Sequence, residues 1–255
     1  MRFSSLGSGS RGNAMLVESG GTRVLLDCGF GIRETVRRLE QRSVAPETLA
    51  AILVTHEHSD HIGGVFKFAC RYGVPVWLTH GTLSAAPEVR AGVPELKIID
   101  GHTRYTLDDL EIFPYPVPHD AREPVQYVFS DGDKRLGVLT DAGSLTPHLV
   151  SMLDACDALV LECNHDLEML AASAYPPSLQ RRISGRLGHL DNAAAASLLS
   201  QLDVSRLQHL VAAHLSEQNN RPELAVAALA DVMGCEAGWV GIAGQDEGFD
   251  WRVIG

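Results

Sequence analysis

Residues 55–64 read Thr-His-Glu-His-Ser-Asp-His-Ile-Gly-Gly and directly follow a short apolar run that predicts a buried strand. Alternate side chains of a chain that leaves a strand point to the same side, so His56 and His58 can face a common ion. Asp60 and His61, in the turn towards a predicted helix, can reach a second ion. Three histidines and one aspartate this close together favour a metal site over an exposed loop, because imidazole and carboxylate groups are common metal ligands.

The charge of the chain limits the classes of partner. Its 255 residues include 21 Lys and Arg against 32 Asp and Glu, a formal charge of −11. This excess argues against a broad basic surface for nucleic acid or membrane. The N-terminus lacks the apolar segment of a secretory signal, no apolar run approaches about 20 residues, and the five cysteines form no C-x-x-C pair. We expect residues 1–255 to form one cytoplasmic domain without a membrane partner.

Two strand-rich blocks, each followed by helices, predict a layered α/β fold. The predicted strands are 14–18, 22–26, 51–55, 74–78 and 159–161. The predicted hairpins are 105–117, 125–139 and a closing pair of 239–243 with 249–253. The predicted helices are 61–72 before Gly73, 191–201 with Asp191 as N-cap, and 222–233 before Gly234.

Gly7, Gly9 and Gly12 form a G-x-G-x-x-G pattern of the kind found in dinucleotide-binding loops. Such a loop needs a helix to begin at the last glycine, because the amides of that helix hold the pyrophosphate. Here residues 14–17 are apolar and precede a Gly-Gly turn, which predicts a second strand instead. We therefore expect a tight loop near some other site and no dinucleotide binding.

The H-x-H-x-D-H motif at 56–61 resembles the signature of the metallo-β-lactamase-fold hydrolase superfamily. That family also has an aspartate after an early strand, a later histidine, a bridging aspartate and a last histidine. The matching residues, in chain order, are Asp27, His119, Asp141 and His214. The resemblance implies an α/β fold, namely a four-layer αββα sandwich of two mixed sheets flanked by helices.

The resemblance also implies two divalent metal ions. The ligands of the first ion would be His56, His58 and His119. The ligands of the second would be Asp60, His61 and His214, with Asp141 bridging the ions and Asp27 orienting the ligands. Histidine and aspartate without cysteine suit Zn²⁺ best, and they are also compatible with Mn²⁺ or Fe²⁺.

Five further segments resemble the YycJ (WalJ) subfamily, which is related to RNase Z and PhnP-type phosphodiesterases. They are 8–13, 162–166, 175–176, 188–192 and 214–220. This resemblance implies a 5′-to-3′ DNA exonuclease that uses metal-bound hydroxide on a nucleic-acid strand end. An aspartate at 141, where a dizinc β-lactamase typically has a cysteine, also fits a phosphodiesterase.

Several residues outside the ligand set are candidates for work on the substrate. His189 precedes the N-terminus of a predicted helix, a position that favours an anion, so we predict that it contacts phosphate or protonates the leaving group. A hydrogen-bonding role at the helix terminus is the alternative. Asp60 and His165 are further catalytic candidates, although the loop of His165 can simply satisfy its own backbone. Glu162 is a candidate partner of His189.

Two arginines and two asparagines are predicted to bind substrate. Arg182 and Arg186 would share one face of a helix and steer phosphate, unless that face is only solvated. Asn13 and Asn220 are predicted to close the rim of the site. The histidines that fit no ligand spacing are expected to be structural or surface residues; they are His80, His102, His148 and His209.

Other functions fit the same ligands. A small-molecule (cyclic) phosphodiesterase and a thioester or lactone hydrolase are the alternatives among enzymes. A regulatory protein without turnover is a third, and the complete ligand set argues against it. The pattern leaves the oligomeric state open, with a homodimer among the options.

Overall fold

The first of two mixed sheets carries both ends of the chain. The computed structural model describes residues 1–86 and 92–255. The strands of this sheet are β1 (Arg2–Gly7), β2 (Ala14–Ser19), β3 (Thr22–Leu26), β4 (Ala51–Leu53), β5 (Val76–Thr79), β6 (Leu96–Ile99) and, from the end of the chain, β14 (Phe249–Val253). Their order is β14-β1-β2-β3-β4-β5-β6. The pairs from β14 to β3 are antiparallel, and those from β3 to β6 are parallel.

The second sheet repeats this division between antiparallel and parallel pairs. Its strands are β7 (Tyr105–Leu107), β8 (Leu110–Pro116), β9 (Val125–Ser130), β10 (Arg135–Leu139), β11 (Ala158–Glu162), β12 (His209–Ala213) and β13 (Gly241–Ile242). Their order is β13-β12-β11-β10-β9-β8-β7. The pairs from β13 to β10 are parallel, and those from β10 to β7 are antiparallel.

Helices connect the strands and cover both outer faces. They are α1 (Ile32–Gln41), α2 (Ser59–Ile62), α3 (Val65–Tyr72), α4 (His80–Ala85), α5 (Pro147–Leu153), α6 (Leu167–Ala172), α7 (Pro177–Ile183), α8 (Asn192–Leu199) and α9 (Pro222–Met233). Single 3₁₀ turns lie at Pro46–Thr48 and Ala237–Trp239. Among the described residues, no helix has the length and apolar character needed to cross a membrane.

Alternation along the strands explains the four layers. In β3, Leu26 packs in a cluster that contains residues of both sheets, whereas Leu25 packs in a cluster with α1 and α3. In β11, Val160 joins the cluster between the sheets, whereas Leu161 packs with α5, α8 and α9. Because successive side chains of a strand point to opposite faces, each sheet buries both of its faces. The predicted αββα sandwich is confirmed.

Most local predictions are confirmed. Strands β2 and β3 form the first hairpin, and β7 to β10 form the two later ones. Asp191 caps α8 by accepting a hydrogen bond from the Ala194 amide at 2.9 Å. Gly73 and Gly234 end their helices with φ of 70° and 61°, which glycine adopts at little cost.

The single helix predicted over residues 61–72 is wrong, since two helices, α2 and α3, occupy this region. The carbonyl of Asp60 accepts a hydrogen bond from the Asn13 amide at 2.7 Å, and the Gly64 amide donates to the carbonyl of Cys28 at 2.7 Å. These contacts replace the helical bond from Gly64 back to Asp60. A Cβ on Gly64 would lie 2.0 Å from the carbonyl oxygen of Phe30, so the glycine permits this close packing.

The closing hairpin predicted from 239–243 and 249–253 is also wrong. The chain turns back through a bridge between Gly244 and Gly248, but the two strands then enter different sheets. Strand β13 pairs with β12, and β14 pairs with β1. The end of the chain therefore links the two sheets instead of extending one of them.

Candidate metal centre

The polar residues of the centre follow the carboxyl ends of strands from both sheets. Asp27 follows β3, Asp141 follows β10 and His214 follows β12. These three residues have φ of 58°, 53° and 55°, in the left-handed region that residues other than glycine rarely adopt. Backbone of this kind persists where the surroundings hold it, and it is common at functional sites. The strand ends thus turn their side chains towards one another.

All seven predicted metal ligands come together in overlapping groups. Within each group the potential ligand atoms lie within 4.8 Å of one another. The first group is His56, His58 and His119. The second is Asp60, His61 and His214. The groups that join them are His56 with His61 and Asp141, and Asp141 with Glu162, His189 and His214. The geometry therefore suits two neighbouring cations with Asp141 between them.

Two ring nitrogens and one carboxylate oxygen in these groups are buried without a hydrogen-bond partner. Among the described residues, His56 Nε2, His214 Nε2 and Asp141 Oδ2 make no hydrogen bond. A buried polar atom left in this way costs about 1–3 kcal/mol. His119 Nε2 and His58 Nδ1 lie only 3.2 Å apart, where a cation can satisfy both nitrogens. The donor set therefore fits divalent metal ions.

Opposite charges also shift the pKa values of the ligands. Burial alone would raise the pKa of Asp141 and Asp60, but the neighbouring histidines outweigh it and lower both pKa values below the ordinary range. Burial would lower the pKa of His214, but the nearby carboxylates of Asp141, Asp60 and Glu162 raise it to about 10. The carboxylates thus attract positive charge strongly, and a bound cation supplies it most directly.

Asp27 orients His61, one of the predicted ligands. Its Oδ2 lies 2.7 Å from His61 Nδ1 and accepts a hydrogen bond from the Thr55 hydroxyl at 2.9 Å, while its Oδ1 accepts one from the Thr55 amide at 2.8 Å. With Nδ1 engaged, His61 directs Nε2 to within 3.1 Å of Asp141 and 3.4 Å of Asp60. Carboxylate contacts of this kind fix the orientation of a metal-binding histidine.

Glu162, at the end of β11, links His189 to His214. Its Oε1 lies 2.8 Å from His189 Nδ1 and 3.1 Å from His214 Nδ1. Its Oε2 accepts hydrogen bonds from the amides of Ala142 and Leu190. The proposed pairing of Glu162 with His189 is present in the structure. Its second contact, with His214, was not predicted from the sequence.

Asn13, directly after the glycine-rich loop at 7–12, contacts the predicted ligands. The side-chain amide of Asn13 lies 3.1 Å from His61 Nε2 and 3.3 Å from Asp60 Oδ2. Its carbonyl oxygen accepts a hydrogen bond from the Gly9 amide at 2.8 Å. Strand β2 follows directly, as expected, so no helix is present to hold a dinucleotide. Asn13 is buried against the ligands and does not lie on the rim.

A pocket of about 360 Å³ opens over the two groups. Its lining includes His58, Asp60, Asp141 and His214 of these groups, and also His189, Asn164, Arg182 and Tyr175. The Arg182 Nε donates to Asp120 Oδ2 at 2.6 Å. The same aspartate places Oδ1 3.5 Å from His119 Nε2, so the arginine is tied to the edge of the first ligand group.

The chain is similar in sequence to a known protein family. Residues 22–214 match the Beta-lactamase superfamily domain. The chain belongs to this superfamily. Exodeoxyribonuclease YycJ of Bacillus anthracis is 34% identical over 235 residues, which cover 91% of this chain and 89% of the relative. Exodeoxyribonuclease WalJ of Streptococcus pneumoniae is 33% identical over 228 residues, which cover 88% and 85%.

A solved structure shows the same fold at lower identity. The metallo-β-lactamase-fold protein YhfI of Bacillus subtilis aligns over 98% of each chain with a TM-score of 0.76 and 17% identity. The two seven-stranded sheets with outer helices are thus those of the β-lactamase superfamily. The family and the His/Asp groups together support the use of divalent metal ions.

Not every predicted substrate residue of this superfamily member reaches the pocket. Helix α7 ends at Ile183, so Arg186 does not share a helix face with Arg182, and it lies exposed outside the lining. Asn220 is buried, where its side chain bonds to that of Asn192 and to the carbonyl of Cys163. Both predicted placements are wrong.

His165 also lies away from the pocket lining. Its side chain is fully buried, and its carbonyl accepts a hydrogen bond from the Asn192 amide at 3.0 Å. Within the described residues, neither ring nitrogen has a hydrogen-bond partner. The structure therefore does not bring His165 to the side from which a substrate enters.

Gly29 provides a test of how closely the centre is packed. A Cβ at this position would lie 1.8 Å from the carbonyl oxygen of Asp60 and 2.9 Å from the Asn13 amide nitrogen. Gly29→Ala should therefore displace the ligand segment, lowering the free energy of unfolding by about 1–3 kcal/mol and reducing bound metal. Thermal unfolding and metal analysis measure both effects. Gly238→Ala is the control, since nothing lies within 4 Å of its Cβ position. Equal stability and metal content in the two variants would contradict the packing argument.

Proposed function

We propose that this protein is a divalent-metal-dependent exodeoxyribonuclease that degrades DNA in the 5′-to-3′ direction. The observation that carries the proposal is the pair of adjoining His/Asp groups beneath a pocket lined by Arg182 and His189. Two exodeoxyribonucleases with 33–34% identity over most of their length support it. The direction of cleavage comes from the subfamily resemblance.

The seven predicted ligands would divide between two ions in the way that the family resemblance implies. The residues that would hold the first ion are His56, His58 and His119. Those for the second are Asp60, His61 and His214, with Asp141 shared. Two such cations, for which Zn²⁺ suits the donor set best and Mn²⁺ or Fe²⁺ are compatible, supply Lewis-acid stabilisation to a phosphoryl group and activate water.

Arg182 gives the pocket its positive side chain. Its Nε is engaged with Asp120, which leaves the two terminal nitrogens of the guanidinium for a ligand. Arginine binds phosphate oxygens through paired, charge-assisted hydrogen bonds. The arginine would therefore hold the phosphate backbone of the strand next to the buried ligand groups.

In this proposal His189 is the general acid. Hydrolysis breaks a phosphorus–oxygen bond, and the leaving oxygen must take up a proton. Burial alone would lower the pKa of His189, but the charges of Glu162 and Asp141 outweigh it and raise that pKa. Because Nδ1 contacts Glu162, Nε2 is the nitrogen available on the pocket side. Glu162 would then be a positioning residue that orients the imidazole.

The central experiment uses metal-loaded protein with DNA labelled at either end and with RNA of the same sequence. We expect stepwise shortening from the 5′ end of DNA. Asp60→Ala removes a ligand of the second group, so it should lower both metal content and rate, the rate by about 100-fold or more. Asp133→Ala is the matched control, since Asp133 is exposed on the β9–β10 turn. The proposal fails if no phosphodiester is cleaved, or if Asp60→Ala cleaves DNA as fast as the wild type.

The acid role of His189 is tested through the leaving group. His189→Ala should lower kcat on DNA by about 10²–10⁴-fold while metal content stays constant. The loss should be much smaller on a p-nitrophenyl phosphodiester, because nitrophenolate leaves without a proton. His80→Ala, at an exposed histidine, is the control. An equal loss on both substrates would exclude proton donation by His189.

A further inference from the structure

Arg182 and His189 lie on one wall of the pocket. Both residues line it, and both belong to the segment that leads from β11 to α8. The His189 amide donates to the carbonyl of Ile183 at 2.8 Å, which fixes this part of the segment to the end of α7. A Cβ on Gly188 would lie 2.3 Å from the carbonyl oxygen of Arg182, so the two stretches of backbone are in close contact. A ligand atom at His189 therefore has Arg182 on the same side of the pocket.

Arg182 is separated from the predicted metal ligands by one carboxylate. Its Nε donates to Asp120 Oδ2 at 2.6 Å. The other oxygen of Asp120, Oδ1, lies 3.5 Å from His119 Nε2 and 3.9 Å from His58 Nε2. A scissile phosphate has to lie at the ions that would polarise it. The guanidinium is therefore placed for the next phosphate along the strand and not for the scissile one.

The charge around the pocket is uneven. The stretch that carries Arg182, residues 169–190, contains three arginines and neither aspartate nor glutamate. The glycine-rich loop, which also lines the pocket, carries Arg11, whose guanidinium pairs with Glu217 at 2.7 Å and with Asp246 at 2.9 Å. Two carboxylates around one arginine leave that side negative. The more negative part of a bound strand is therefore favoured at the wall of Arg182.

The direction of cleavage determines which phosphate this is. In cleavage from the 5′ end, water attacks the phosphorus between the first two nucleotides. The bond from this phosphorus to the 3′ oxygen of the first nucleotide breaks, and that oxygen takes up a proton. With His189 as the acid, the departing nucleotide lies against the wall of His189 and Arg182. The phosphate that this nucleotide carries is the one on its own 5′ oxygen.

We propose that Arg182 binds the 5′-terminal phosphate of the substrate, so that the enzyme selects DNA ends with a 5′-phosphate over ends with a 5′-hydroxyl. This inference rests on the proposed nuclease function and adds to it the recognition of the end group. A terminal phosphate has three unesterified oxygens and a charge of about −1.5 to −2. An internal phosphodiester has a single negative charge. The terminal group therefore gains more from paired hydrogen bonds with the free guanidinium nitrogens.

Each cut would regenerate the group that Arg182 binds. The attacked phosphorus stays on the second nucleotide, whose 5′ oxygen then carries a free phosphate. Successive nucleotides thus meet the same recognition, whatever their bases. Only the first end has to be supplied, and we expect it to come from a strand-cleaving reaction that leaves a 5′-phosphate.

The preference for the end group is tested with one duplex whose 5′ ends carry either phosphate or hydroxyl and whose strands are labelled at the 3′ end. Metal-loaded wild type should remove the first nucleotide at least about tenfold faster from the phosphorylated duplex, because one charge-assisted contact is gained. Later nucleotides should leave both duplexes at one rate. Equal rates for the first cut would overturn the inference while leaving the nuclease function intact. Failure to cleave either duplex would instead reject the proposed function.

The assignment to Arg182 is tested by the same comparison. Arg182→Ala should make the first cut in both duplexes at the rate of the wild type on the hydroxyl end, with unchanged metal content. Arg181→Ala is the neighbouring control and should keep the full preference, since Arg181 is exposed and lies outside the pocket lining. A full preference in Arg182→Ala, or an equal loss in both variants, would overturn the assignment.

Discussion

The rest of the centre depends on the burial of Asp141. Its carboxylate is almost fully buried between the sheets, 3.1 Å from His61, 3.4 Å from His214 and 3.5 Å from His189. A buried charge of this kind costs several kcal/mol unless opposite charge and hydrogen bonds compensate it. The neighbouring histidines supply that charge only by taking up protons, whereas divalent cations would supply it directly and would also satisfy the unpaired ring nitrogens of His56 and His214. The buried carboxylate therefore requires nearby positive charge, and the surrounding histidines provide the nitrogen ligands that can hold a cation there.

The two sheets meet this requirement because each is divided in the same way. In each sheet the strands of the parallel half end at the centre. In the first sheet, Asp27 follows β3 and the histidine motif follows β4. In the second sheet, Asp141 follows β10, Glu162 ends β11 and His214 follows β12. Strand ends in parallel sheets are rigid positions followed by loops that tolerate functional side chains. The antiparallel halves and the outer helices bury the apolar faces and keep the two sets of strand ends aligned.

The parts that could be predicted from the sequence are those encoded over short distances. His56, His58, Asp60 and His61 lie within six positions, and helix ends such as Asp191 and Gly234 depend on local backbone chemistry. Asp27, Asp141 and His214 are isolated in the chain, so only resemblance to a family pointed to them. The last two strands show what local sequence cannot predict. Two strands joined by a glycine turn predict a hairpin, but tertiary packing determines that these two enter different sheets. Arg186 was misplaced for a similar reason, because α7 ends one turn earlier than its charge pattern indicated.

The negative charge of the chain, −11, is consistent with a nuclease of this design. Asp27, Asp60, Asp141 and Glu162 belong to the candidate centre, where bound divalent cations would offset their charge. The pocket itself contributes a single arginine, itself paired with Asp120. Non-specific affinity for DNA comes mainly from many phosphate contacts, which a narrow pocket cannot make.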